Sequence, residues 1–437
     1  MIHAPLVFAA LTDFSGRLRG KAFPADQLDR RLASGVGWTP TNVQITCFDR
    51  IAPSPFGALG DLVLVPDPSA RARVDFGDGL PAEDVMLGDV RSLEGEPWDC
   101  CTRSILRAAL DRLERGAGLR IRGAFEHEFQ LAPRDPSPGL AFTHEGFSAQ
   151  APFLGAVMAG LAQAGLKPDT IMKEYGDDQH EVTIAPEEGL RVADAATHAR
   201  MIVRQAARRQ GARATFTPIR DPRGVGNGVH VHLSFLDRDG RPATWDPAGP
   251  SGMSRLAGAF VAGILRRLGS IVAITAPTAI SYLRLTPNRW SAAFNNLGFR
   301  DREASVRICP VPAGTPEAVA RGYNFEVRAA DAGASPHLAL AAILHAGAQG
   351  IEDGLPAPAA TAEDLAALTP AELAQRGYER LPASLDEALD RFEADEVVRG
   401  WFPPGFAGVY LAHKRFEAGL TAGKTVEERC AAYEAVY

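Results

Sequence analysis

The run Gly123-Ala124-Phe125-Glu126-His127-Glu128-Phe129-Gln130-Leu131 constrains this chain more than any other stretch. Apolar and polar side chains alternate along it. Because successive side chains of a strand point to opposite faces, the pattern predicts a half-buried β-strand. Phe125, His127, Phe129 and Leu131 are then directed into a core, while Glu126 and Glu128 stand together on the other face. Two carboxylates that close repel each other. Solvent on an open sheet relieves the repulsion, as does protonation or a hard cation that favours oxygen ligands. Taken alone, the wet face is the simpler reading, since antiparallel sheets commonly keep one.

Four further segments with the same alternation change that balance. From Lys173 to Ile184, Gln179, Glu181 and Thr183 share a strand face opposite Val182 and Ile184, and Glu174 lies across a Gly-Asp-Asp turn. From Gly224 to Phe235, a G-x-G-x-G lead-in that lets backbone approach a ligand precedes a strand with His230, His232 and Ser234 on one face. Neutral imidazole is a good ligand for divalent metals. Ser281 to Leu285 is read as a strand with Tyr282 and Arg284 on one face, and Arg300, Arg302 and Arg307 follow near Val306 and Ile308. Asn324 to Arg328 alternates again, with Glu326 and Arg328 on the polar side. On a shared sheet these segments segregate carboxylates, imidazoles and arginines. That division suits cations bridging polyphosphate and arginines neutralising a transferring phosphoryl group. An ordinary wet sheet would mix in lysine, which is nearly absent here.

The remaining chain sets the frame. Its 437 residues suffice for two or more domains, and 46 basic against 53 acidic residues argue against a nucleic-acid partner. Cys47, Cys100, Cys101, Cys309 and Cys430 form no C-x-x-C pair, which argues against a disulfide framework or structural zinc and fits a reduced, cytoplasmic setting. The apolar run Leu6 to Leu11 is too short to span a bilayer and lacks a preceding basic segment, so no membrane partner is expected. Strands are predicted at Leu6–Thr12 and Asp61–Asp67, and helices near Pro24–Ala33, Arg103–Glu114, Phe153–Ala164 and Val192–Gln210. The pattern changes near Glu94–Trp98, which places a small N-terminal domain over 1–96 and a larger one over 97–437. Leu355 to Leu373 reads as surface loop with short helical pieces, and Ser384-Leu385-Asp386-Glu387 as a capping box.

In this order, F-E-H-E-F at Phe125, E-x-x-x-x-Q-x-E from Glu174, G-V-H-V-H-L-S from Gly228, S-Y-x-R-L from Ser281, R-x-x-x-x-R-I from Arg302 and F-E-V-R from Phe325 resemble the glutamine synthetase family. The D-x-x-G-x-x-R-G-K at Asp13 resembles its smaller domain, and no Walker-type loop is present. The resemblance implies an α+β fold with a β-grasp-like N-terminal domain and a catalytic domain built on a curved antiparallel sheet flanked by helices. It implies homo-oligomeric stacked rings, a dodecamer, with each site completed by a neighbour. Glu128, Glu174 and Glu181 match the ligands of one Mg2+ or Mn2+ ion, and Glu126, His230 and Glu326 those of a second. Arg284, Arg328 and Gly226 match the glutamate site. His232, Ser234, Arg302 and Arg307 match nucleotide and phosphate contacts, with Arg302, Arg328 and Glu326 closest to the chemistry. The implied reaction passes a phosphoryl group from ATP to the γ-carboxylate of glutamate, and an amine then displaces phosphate.

The sequence departs from the family at the nucleophile. The flap that follows S-Y-x-R-L carries a glutamate over the ammonium site in glutamine synthetases, and here Trp290 holds that place in Pro287-Asn288-Arg289-Trp290. The ammonium-binding D-G-S-S motif is replaced near Trp38–Asn42, with Asp49 as a displaced substitute. Val225 and Asn324 stand where an asparagine and an arginine are usual. These changes favour a larger organic amine over ammonia and a γ-glutamylamide product. The alternatives are an ammonia-using glutamine synthetase relying on Asp49, and a silent ring-forming relative that binds nucleotide.

Overall fold

The computed structural model describes residues 3–132 and 140–437. Two sheets carry the architecture. The first is built from β1 (Leu6–Thr12), β2 (Leu18–Pro24), β3 (Val36–Trp38), β4 (Leu62–Val74) and β5 (Glu83–Arg91) in the order β2-β1-β5-β4-β3. Its central pair, β1 and β5, runs parallel and the other pairs antiparallel. The Asp61–Asp67 prediction caught only the first half of β4, whose later residues alternate around Ala70, Ala72 and Val74.

The second sheet contains β6 (Arg120–Ala132), β7 (Pro168–Lys173), β8 (Gln179–Ile184), β9 (Glu187–Glu188), β10 (Arg213–Thr215), β11 (Val229–Leu236), β12 (Leu297–Phe299), β13 (Val306–Ile308), β14 (Phe325–Val327) and β15 (Ala360–Thr361). The main path is β15-β12-β13-β14-β11-β6-β8-β7, with β9 and β10 also pairing with β6. The stretch from β13 to β7 is antiparallel, as expected. The β12 edge departs from that expectation by pairing in parallel with β13 and β15. Along β6 the predicted alternation holds: Phe125, His127, Phe129 and Leu131 are buried while Glu126 and Glu128 look outward.

Helices Thr102–Ala117, Ala151–Gln163, Arg191–Arg209, Arg255–Thr275 and Pro336–Glu352 cover the apolar side and bury a continuous core with β6, β11 and β14. Arg255–Thr275 and Pro336–Glu352 touch backbone to backbone: a methyl added at Gly263 would lie 2.2 Å from the Ala346 carbonyl oxygen. Arg255–Thr275 is long and apolar enough to cross a membrane by length and composition. Within this fold 72% of its apolar window is buried, so it serves as a core helix.

Two local expectations are corrected. Ser281-Tyr282-Leu283-Arg284 forms a single helical turn, not a strand. Ser384 does cap Leu385–Ala394 by accepting from Glu387 N–H at 3.1 Å, but the Glu387 carboxylate reaches the Ala383 N–H, so the reciprocal half of the capping box is displaced by one residue.

A buried polar knot joins the first sheet to the helices behind the second. Arg103 donates to Asp194 at 3.0 and 2.9 Å, to Asp89 at 3.1 Å and to Asp67 at 2.8 Å. His337 Nε2 lies 2.9 Å from Asp194, and its Nδ1 lies 3.0 Å from Thr12 Oγ1.

Candidate active site

Strand register assembles the polar face of the second sheet. His230 stands opposite Glu126, Glu128 opposite Glu181, and Glu326 opposite both His232 and Arg307. Residues directly opposite on antiparallel strands lie within side-chain reach. His230 Nδ1 is accordingly 2.7 Å from Glu126 Oε1 and 3.3 Å from Glu326 Oε1, and His232 Nε2 is 3.5 Å from Glu126 Oε2. Glu326 also meets Arg307 at 2.7 Å and pairs with Arg328. Glu128 accepts from Gly228 N–H at 2.7 Å and from Gln179 Nε2 at 3.3 Å. Glu174 follows β7 and accepts from Tyr175 N–H at 2.9 Å.

The electrostatics divide this face in two. Burial would raise Glu126, but His230 and His232 outweigh it and hold its carboxyl well below the usual range. Burial also opposes ionisation of Glu326, and His230, Arg328 and His232 bring it down to about 2. On the other side burial pushes Glu181 well up, and Glu126 and Glu128 push it further. Glu174 rises for the same reasons, burial first and then Glu128 and Glu126, against the Tyr175 N–H. Glu128, Glu174 and Glu181 thus form a carboxylate group that makes no ion pair among the described residues, with only the nearby charge of Lys173 easing Glu174, a donor set that fits a hard divalent ion. Glu126, His230 and Glu326 offer ligand atoms within 4.8 Å of one another, an oxygen-rich set with one imidazole that also fits such an ion.

The residues expected at the substrates differ in their settings. Arg284 is buried. It donates to Ser291 Oγ at 3.0 Å and to the Ala330 carbonyl at 2.6 Å, and burial lowers its pKa. Gly226 makes room for it, since a methyl there would lie 2.6 Å from Arg284 Cγ. Ser234 lies further along β11 and donates to the Arg122 carbonyl at 3.3 Å. Arg302 is exposed on the β12–β13 turn and makes no hydrogen bond or ion pair among the described residues. Asn324 places its Oδ1 3.0 Å from His232 Nδ1, so it orients an imidazole. Val225 and Asp49 are exposed, and Asp49 meets Arg19 at 3.4 Å.

Trp290 is 73% exposed, on a turn where both it and Asn288 have positive φ, 53° and 61°. Glu303 clamps that turn. Its two carboxylate oxygens accept from Trp290 N–H at 2.6 Å and Asn288 N–H at 3.1 Å, while Arg328 donates to the Trp290 carbonyl at 3.0 Å.

The sequence pattern left Glu303 and Cys309 unmarked, and it placed Gln179 on the polar face without showing what it binds. Glu303 binds only backbone here, so no side-chain pattern marks it. Gln179 joins Glu128, the Gly226 carbonyl and Asn227 Oδ1. Cys309 follows β13, with Sγ 3.6 Å from His232 Nδ1 and 3.7 Å from Glu326 Oε2. The period-two continuation from Arg307 to Cys309 was the available signal.

Comparison with known proteins shows the family and the fold. The family model for the glutamine synthetase N-terminal domain matches residues 1–98, and that for the glutamine synthetase catalytic domain matches 99–432. A gamma-glutamylpolyamine synthetase of Streptomyces coelicolor is 33% identical over 99% of this chain and 93% of its own length. A glutamine synthetase of Thermococcus kodakarensis is 31% identical over 89% of this chain and 84% of its own length. A crystal structure of a novel glutamine synthase homolog superposes with a TM-score of 0.92 at 41% identity, covering 100% of this chain and 99% of that one.

Proposed function

This chain belongs to the glutamine synthetase family and is a ligase forming carbon–nitrogen bonds, and we propose that it joins the γ-carboxylate of glutamate to an organic amine at the expense of ATP. The observation that carries the choice of amine is the turn at Trp290. Where the family resemblance leads to a flap glutamate, an exposed indole is held out by Glu303 and Arg328. Both oxygens of that nearby carboxylate are engaged by backbone N–H groups. An indole offers an apolar flank and a π-face to an alkylammonium group. The likeness to a gamma-glutamylpolyamine synthetase supports the same choice.

On this reading Glu128, Glu174 and Glu181 hold one Mg2+ or Mn2+ ion, and Glu126, His230 and Glu326 hold a second. Such ions neutralise charge along the ATP phosphates. His232 and Ser234 face the nucleotide, Arg302 and Arg307 its phosphates, and Arg284, Arg328 and Gly226 the glutamate. A γ-carboxylate oxygen attacks the terminal phosphorus and ADP departs, giving γ-glutamyl phosphate. Arg302 and Arg328 offset the charge that spreads over the transferring group. The amine nitrogen then attacks the acyl carbon, the carbon–oxygen bond to phosphate breaks, and the nitrogen loses a proton as the amide forms. A stacked-ring homo-oligomer, a dodecamer in the family pattern, belongs to the same proposal.

The test is phosphate release from ATP with glutamate and Mg2+ or Mn2+, comparing ammonium with alkyl, aryl, hydroxyalkyl and polyamine nucleophiles and identifying products by mass. An organic amine should outpace ammonium. Faster turnover with ammonium would overturn the proposal and favour an ammonia-using enzyme, the reading supported by the likeness to a glutamine synthetase; Asp49 would then be the first carboxylate to replace.

A further inference from the structure

We propose that Cys309, His232 and Glu326 form an inhibitory site for a thiophilic divalent cation, with Zn2+ the natural probe. Their ligand atoms lie within 4.8 Å of one another. The sulfur is 3.6 Å from His232 Nδ1 and 3.7 Å from Glu326 Oε2. In a tetrahedral zinc site, bonds of about 2.3 Å to sulfur and 2.0–2.1 Å to nitrogen or oxygen place sulfur roughly 3.6 Å from the neighbouring donor. The two edges that run from the sulfur therefore already match such a tetrahedron.

Chemistry separates this triad from the neighbouring one. Glu126, His230 and Glu326 offer oxygens and an imidazole, which suit Mg2+ and Mn2+, whereas a thiolate selects for zinc and its softer relatives. Access separates Cys309 from the other cysteines. It is 8% exposed, while Cys47, Cys100, Cys101 and Cys430 are 0–1% exposed. Occupation of the thiol site would release the Cys309 proton, draw His232 Nδ1 away from Asn324 Oδ1, its present partner at 3.0 Å, and draw Glu326 Oε2 away from Arg307, its present partner at 2.7 Å. Glu326 belongs to both triads. Zinc bound to the thiol therefore competes with the activating ion for a shared carboxylate, and the inhibitory consequence rests on the assignment of Glu326 as a ligand of that ion.

The test uses Co2+ as a spectroscopic stand-in, followed by zinc inhibition. Wild-type protein with Co2+ should show a thiolate-to-cobalt charge-transfer band that Zn2+ abolishes, and C309S should lack it. In the ligase assay with Mg2+, Zn2+ should inhibit the wild type. The concentration for half-inhibition, with each variant normalised to its own activity in Mg2+, should rise about tenfold or more in C309S, a size typical of disturbed metal sites. Cobalt binding to the wild type without the thiolate band overturns the site, as does a band that persists in C309S. If C309S does not fold, the wild-type spectrum and zinc protection of Cys309 from alkylation, mapped by mass, decide the matter; alkylation unaffected by zinc overturns the site. A cobalt band in a protein without ligase activity would sink the proposed function and leave the metal site standing.

Discussion

The carboxylate of Glu303 does its work through backbone. It holds two residues with positive φ, and left-handed conformations of residues other than glycine cost of order 1–3 kcal/mol each. Its two hydrogen bonds offset that strain and fix where the Trp290 indole projects. Replacing Glu303 with alanine should raise KM for the amine about tenfold, the effect of losing roughly 1.4 kcal/mol of positioning. KM for ATP should change little. Equal losses for both substrates in steady-state assays would argue that the turn has no part in amine recognition. Glutamine at this position can accept only one of the two N–H groups in the same way, so E303Q should fall between. Residues of this kind leave little trace in a sequence. Glu126 and Glu128 were legible because their own strand alternates; Glu303 was not, because its partners are peptide groups on a turn.

At the scale of elements, register does most of the assembly. The alternation along β6 and β11 made the inward and outward faces readable, and the observed pairing of those strands sets His230 against Glu126. Short elements were less legible. Ser281-Tyr282-Leu283-Arg284 is too brief for its spacing to distinguish a strand from one helical turn, and packing decided for the turn. The lead-in to β11 is the element whose shape most directly touches Arg284, the residue proposed to hold glutamate. A methyl at Gly226 would meet Arg284 Cγ at 2.6 Å and the Pro218 carbonyl oxygen at 2.9 Å, so one of them must move. Gly226→Ala should therefore raise KM for glutamate by roughly ten- to a hundredfold, the size expected when a positioned group shifts by about 1 Å. An unchanged glutamate KM would show that Arg284 does not position this substrate.

Across the whole molecule, two buried charge clusters fasten the halves together. Arg103 lies at the centre of Asp67, Asp89 and Asp194. Arg103→Met removes the one cation shared by all three, leaving Asp89 to Arg107 and Asp194 to His337, and should cost about 3–5 kcal/mol in denaturant unfolding, the usual penalty for breaking a buried ion pair. A loss below about 1 kcal/mol would mean that the acids regain solvent or protons. The second cluster joins Lys414 and Glu417 to Ser15 and to the Cys47 N–H, with Asp13 and His413 close by. Burial opposes the charge on Glu417, yet Lys414, His413 and the two hydrogen bonds hold its pKa down to about 2, below the ordinary 4.5. A depressed carboxyl stabilises the fold above its unfolded pKa. That contribution, about 3 kcal/mol, is lost as pH falls from about 4.5 through 2. Thermal melts should show this acid limb in the wild type and a flatter one in Glu417→Gln, which is less stable at neutral pH because Lys414 loses its counter-charge. Neither cluster could be read from the sequence, since each joins residues that lie far apart along the chain.

The outward indole also gives the protein a built-in optical label. Of its five tryptophans, Trp38 is buried, Trp98, Trp245 and Trp401 are partly covered, and Trp290 alone stands mostly in water. Its fluorescence should form the red-shifted, iodide-quenchable share of the emission. An amine settling against that ring would dim or shift the same component, so occupancy of the nucleophile site could be followed by light alone, before any bond is made.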